Sequence, residues 1–85
     1  MTREQKLVCG KVLLELRSHT PYSQQEFADI CGFDVTFLKR LEKGKSEPGP
    51  MTLVKIARRL GMKPGRLLDM IIDRMEAEGI LSPFL

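Results

Sequence analysis

Residues 23–44, Ser-Gln-Gln-Glu-Phe-Ala-Asp-Ile-Cys-Gly-Phe-Asp-Val-Thr-Phe-Leu-Lys-Arg-Leu-Glu-Lys-Gly, constrain this chain more than any other stretch. They read as two short helices joined by a tight turn. Ser23 is a good N-cap, and Glu26 three residues later completes a capping box. Phe27, Ala28 and Cys31 then form one apolar face. Gly32 sits where a left-handed residue is needed to end the first helix. Asp34 can cap the second, with Phe37, Leu38 and Leu41 on its inner side and Gly44 as its stop. Ala28 is small enough for the two helices to cross closely.

The rest of the chain extends this helical pattern, and no strand pattern accompanies it. A first helix is expected over 3–18, with Thr2 as N-cap, Gln5 closing a capping box, and Leu13 and Leu16 turned inward. Thr20-Pro21-Tyr22 breaks it. The second and third helices fall at 24–31 and 35–43. Residues 45–50 read as a loop, since two prolines flank a glycine. A fourth helix is expected over 52–60, where Leu53, Ile56, Ala57 and Leu60 recur at helical spacing before Gly61. A fifth is expected over 64–78, opened by Pro64, striped by Leu67, Leu68, Ile71 and Met75, and stopped by Gly79. This gives a single all-α domain over 1–78 and a short apolar tail over 79–85.

Charge is distributed unevenly. The chain carries a net charge of +3. Residues 35–66 hold nine basic and two acidic groups, net +7, between segments of net −1 and net −3. A basic middle of this kind is the electrostatic footprint of a polyanionic partner. No apolar run approaches the roughly 18–20 residues of a membrane span, and there is no signal-peptide core, so a cytoplasmic protein is expected. Cys9 and Cys31 form no Cys-x-x-Cys pair and His19 stands alone, so the cysteines read as small reduced core residues and no metal is expected. No acid/base pair, nucleophile constellation or phosphate loop is legible, so neither an enzyme nor a cofactor is expected.

Several segments resemble the Cro and phage-repressor type helix-turn-helix proteins, the XRE family. They are Gly10-Lys11-Val12-Leu13-Leu14-Glu15-Leu16-Arg17, Ser23-Gln24-Gln25-Glu26-Phe27-Ala28, Gly32-Phe33-Asp34-Val35-Thr36-Phe37-Leu38, Leu41-Glu42-Lys43-Gly44-Lys45, Thr52-Leu53-Val54-Lys55-Ile56-Ala57-Arg58-Arg59-Leu60-Gly61 and Leu67-Leu68. The resemblance covers about 10–72. It implies a five-helix, lambda-repressor-like DNA-binding domain whose third helix lies in the major groove. It also implies a small transcriptional regulator, with a repressor the expected mode.

Carried over position by position, the resemblance implies base contacts from Val35, Thr36, Lys39 and Arg40. Their chemistry agrees. Arg40 can pair bidentately with guanine, Lys39 reaches the same acceptors, Thr36 can bond a base or phosphate, and Val35 offers a methyl surface to thymine. The better-known phage repressors often carry glutamines near Val35 and Thr36, so adenine readout by a side-chain amide is missing here. Gln24 matches a phosphate-binding position at a helix N-terminus. Lys43, Lys45 and Ser46 are expected to follow the backbone, setting register and not sequence. Phe37 is expected to pack against the loop between the third and fourth helices. Arg17 and Glu42 resemble a structural ion pair of the family, and Arg17 also leans toward a phosphate in this reading.

After the fifth helix fills one small core, Met70, Ile72, Ile80, Leu81, Phe84 and Leu85 remain, an apolar surplus that marks an interface. A homodimer on a palindromic operator is therefore expected, with the tail folded over its own core as the competing placement. The alternative function is a protein-interaction module of the same fold, such as the DNA-binding antitoxin of a toxin–antitoxin pair, whose tail docks a protein partner.

Overall fold

The computed structural model describes residues 1–82, and among these there are five helices and no strand. They are α1 (Arg3–Ser18), α2 (Gln24–Cys31), α3 (Val35–Glu42), α4 (Pro50–Arg59) and α5 (Pro64–Ala77). Phe84 and Leu85 lie outside the described residues. None of the described helices is long and apolar enough to cross a membrane.

Local chemistry sets the helix starts. Thr2 Oγ1 accepts from the Gln5 backbone N–H at 3.2 Å, and Gln5 Oε1 accepts from the Thr2 N–H at 2.9 Å. Ser23 and Glu26 make the same reciprocal pair at 3.1 and 3.0 Å, which holds the Glu26 carboxyl below its usual range. Tyr22, just before that cap, lies with its ring 6.4 Å from the Phe27 ring, a hydrophobic staple that fixes how the chain enters α2.

Four boundaries differ from the sequence reading, two of them only in that α4 and α5 end one residue early, at Arg59 and Ala77. The fourth helix begins at Pro50, two residues early. Proline has no N–H to leave unpaired at a first helical position, so the loop ends at Gly49. The third helix stops at Glu42, because Lys43 already caps it and Gly44 turns left-handed at φ 71°. Lys45 N–H then returns to the Arg40 carbonyl at 2.9 Å, satisfying an end carbonyl of α3.

The core is drawn from every helix. Val8, Cys9, Val12 and Leu13 of α1 meet Phe27, Ala28 and Cys31 of α2, Leu38 and Leu41 of α3, Ile56 and Ala57 of α4, and Leu67, Ile71 and Met75 of α5. Each fully buried Leu, Ile or Phe contributes about 1.5–3 kcal/mol. Both cysteines are buried and free. Burial pushes the Cys9 thiol up to about 11, with the charge of Glu47 adding to it. Leu16 is only half-buried, at the margin of this core. Ile80 and Leu81 also pack on it. These two residues of the expected partner-facing surplus are therefore half-buried against their own chain, since the turn at Gly79 leads the tail back toward Met75.

α1 and α3 touch backbone to backbone. A Cβ on Gly10 would stand 2.5 Å from the Leu41 carbonyl oxygen and 2.8 Å from that of Glu42. A Cβ on Gly44 would stand 2.7 Å from Leu7 Cα. Ala28 is fully buried, as expected of a close crossing, but the tighter approach is this one at the far end of α3. Gly65, by contrast, has open space around it.

Gly10→Ala is therefore expected to lower stability by about 1–3 kcal/mol, because the backbone ahead of the new methyl cannot yield cheaply. Gly65→Ala, in the first turn of α5, is expected to raise it by about 0.4–1 kcal/mol. Urea unfolding of the two variants beside the parent checks the opposite signs.

Candidate nucleic-acid interface

α3 is held from its inner side. Asp34 accepts from the Thr36 backbone N–H at 2.7 Å, and Leu38, Leu41 and Glu42 are buried. Thr36, Lys39, Arg40 and Lys43 are exposed on the outer side. Helical periodicity alone separates the two faces, because Leu38, Leu41 and Glu42 recur at spacings of three and four.

Glu42 is the one acid of α3, and it is turned inward with its side chain 3% exposed. Its carboxylate accepts from Arg17 Nε at 2.7 Å, from Arg17 Nη2 at 3.1 Å and from Gln24 Nε2 at 2.7 Å. Arg17 Nη1 donates to the Tyr22 carbonyl at 3.2 Å. The bidentate fork fits guanidinium to carboxylate and answers the cost of burying both charges. Helices α1, α2 and α3 are thus joined at one carboxylate.

This arrangement gives the expected Arg17–Glu42 pair and bears on two residues expected at the DNA backbone. Arg17 is half-buried, its side chain 14% exposed, with its guanidinium bonded to Glu42 and to the Tyr22 carbonyl. Gln24 gives one amide hydrogen to Glu42. A carboxamide has two, and the backbone N–H at the first turn of α2 needs no helical partner. Gln24 therefore keeps one amide hydrogen and its own N–H beyond the bond to Glu42.

The remaining expected residues divide in the same way. Lys39, Lys43 and Lys45 are exposed, with Ser46 half-buried beside them. Arg40 is exposed but not free. Its Nε donates to Ser46 Oγ at 3.0 Å and its Nη2 to the Lys45 carbonyl at 3.3 Å. The expected guanine reader thus lies across the loop that follows α3, and meeting a base exchanges these two bonds. Val35 is half-buried against the core, which leaves only part of its methyl surface outward. Phe37 packs on Phe33, with ring centroids 5.6 Å apart at 89°. The edge-to-face pairing suits both rings.

The second acid of the basic segment, Glu47, pairs with the Met1 ammonium. Both acids among residues 35–66 are thereby matched, and the cations on the outer face keep their field. Lys55, on α4, stands with Nζ 5.8 Å from the centroid of the Phe33 ring. Residue spacing could not reveal this contact, since it joins α4 to the turn before α3. Among the described residues no group of His, Cys, Asp and Glu is arranged to hold a metal ion.

The family model described as a helix-turn-helix domain matches residues 10–71. The chain is 33% identical over 73 residues to the SPbeta prophage-derived uncharacterized HTH-type transcriptional regulator YonR of Bacillus subtilis (strain 168), spanning 86% of this chain and 68% of that protein. Among solved structures it is similar to the restriction-modification controller protein C.AhdI from Aeromonas hydrophila. The TM-score is 0.71 at 26% identity, covering 75% of this chain and 97% of the other. It also shares its fold with the clp gene regulator ClgR from Corynebacterium glutamicum, with a TM-score of 0.78 at 20% identity over 88% and 80% of the two chains.

Because Glu42 satisfies two other helices, Glu42→Ala is expected to cost about 3–5 kcal/mol by leaving Arg17 buried and unpaired. The double variant Arg17→Met, Glu42→Met should cost clearly less than Glu42→Ala alone. Urea midpoints for both check this; equal losses would mean that packing, and not the stranded charge, sets the effect.

Proposed function

The chain belongs to the helix-turn-helix family, and on that footing we propose that it is a transcriptional regulator that binds double-stranded DNA sequence-specifically, with α3 in the major groove. The observation that carries this is the division of α3, with its one acid locked inward by Arg17 and Gln24 and its cations turned outward. A helix so presented fits the groove by shape, and its field draws it to phosphate.

In this reading Thr36, Lys39 and Arg40 face base edges, with Val35 adding a partial methyl surface toward thymine. Arg40 leaves Ser46 and the Lys45 carbonyl when it meets a guanine. Gln24, Lys43, Lys45 and Ser46 follow the phosphates on either side. Arg17 acts from the interior through Glu42. Repression by occupancy of the operator is the mode we assign. The relatives described above are regulators by name, which favours this reading over a module that works only by binding another protein.

A two-fold dimer completes the proposal. Two recognition helices on one DNA face need centres about 34 Å apart. One copy measures 37 × 24 × 21 Å, so that spacing lies between contact across the short axes and contact end to end. Half-buried Met70 and Ile72 on α5, together with exposed Leu68, supply apolar surface for the contact. Ile80 and Leu81 contribute only what their own core leaves uncovered.

Binding can be measured by fluorescence anisotropy on a duplex selected from a random pool. Lys39→Ala or Arg40→Ala should weaken the selected site by about 1–3 kcal/mol and relax its sequence preference. Lys45→Ala should weaken all duplexes alike and lower the salt slope by about 1. Unchanged binding in both Lys39→Ala and Arg40→Ala would remove α3 as the reading helix.

For the dimer, sedimentation velocity at micromolar concentration should show two copies, and Ile72→Glu should shift the protein to one copy with its helical signal retained. A parent protein that sediments as one copy at every concentration, and also binds a palindrome as one copy, would refute it.

A further inference from the structure

Lys55 and Arg59 stand one turn apart on the same stripe of α4, and both are exposed. Neither makes an ion pair among the described residues. Both lie close to the C-terminal end of α2. There burial pushes the Cys31 thiol up, and the two cations pull it partly back down, Arg59 more than Lys55. Lys55 also rests over Phe33, which sits one residue before the N-cap of α3 and packs edge-on against Phe37 within α3. The aromatic pair thus holds an ammonium beside the N-terminal end of the recognition helix.

We propose that Lys55 and Arg59 form a second phosphate-contacting surface, which extends the DNA footprint beyond the N-terminal end of α3. The inference rests on the reading of α3 given above. If the N-terminal residues of α3 reach base edges, the strand bounding the groove passes the residues just before its cap. A cation already resting on an aromatic face is partly placed, so less freedom is lost when it meets a phosphate. Arg58 and Arg66 lie on other faces of α4 and α5 and carry no such placement. The competing role for Lys55 and Arg59 is purely local, offsetting the negative end of the α2 dipole. That role predicts an effect on stability and none on DNA.

The test compares the full chain with Lys55→Ala/Arg59→Ala and with Arg58→Ala/Arg66→Ala, a pair that removes equal charge. Anisotropy titrations on the selected duplex and on a scrambled one, from 50 to 200 mM salt, give the slope of log K against log salt. The first pair should lower the slope by about 1.8, since each phosphate contact accounts for about 0.9. Its affinity loss between those salt concentrations should then be about tenfold smaller than that of the parent. Both duplexes should weaken by the same factor, and trimming base pairs from the flank next to the α3 N-terminus should erase the difference. The second pair should keep the parent slope. An unchanged slope in the first pair, or an equal fall in both pairs, would overturn the proposal, and a lower melting temperature with unchanged slope would assign the local role. A parent that shows no salt-dependent DNA binding would refute the reading of α3 itself, and this inference with it.

Discussion

The Glu42 carboxylate is the point on which the arrangement depends. It lies on the reading helix but belongs to the interior, where it is nearly closed off from solvent by Arg17 of α1 and Gln24 of α2. A buried ion pair adds little net stability compared with well-packed apolar groups. What this one does is geometric. A bidentate fork is intolerant of rotation, so α3 cannot turn about its own axis without breaking the bonds to both neighbours. The outward stripe of α3 is therefore fixed by an inward contact.

Much of the fold was legible because its punctuation is chemical. Thr2 with Gln5 and Ser23 with Glu26 announce two helix starts, and both pairs form the reciprocal bonds their spacing implies. The same reasoning missed Pro50, although it succeeded at Pro64. In the run Pro48-Gly49-Pro50 a proline that opens a helix is indistinguishable from one that prolongs a loop, and Gly49 offers no side-chain cap to mark the difference. Gly10 gave no signal either. A glycine inside a helix lowers helix propensity by about 1 kcal/mol, and only the third dimension shows the Leu41 and Glu42 carbonyls that demand it.

The interface was legible by residue type and much less by side-chain direction. Lysines on the outer face of α3 follow from periodicity. Arg40 does not, because its bonds to Ser46 and the Lys45 carbonyl depend on how the chain turns after Gly44. Arg17 was read partly toward a phosphate, yet its exposure is set by a carboxylate 25 residues later. The tail shows the same limit. Ile80 and Leu81 are apolar in any reading, and hydrophobicity does not say whether a residue covers its own core or a second chain.

Beside the Arg17–Glu42 pair, part of the contact between α1 and the end of α3 is made of main-chain atoms: Gly10 lies against two carbonyls, and Gly44 lies against the Cα and side chain of Leu7. Side-chain packing can drift, as methyl groups are gained and lost, and each change moves neighbouring elements by fractions of an ångström. Where main chain meets main chain, as at Gly10, there is little of that kind to change. Substitutions elsewhere in the interior can thus accumulate while the spacing of α1 and α3 at these glycines is kept.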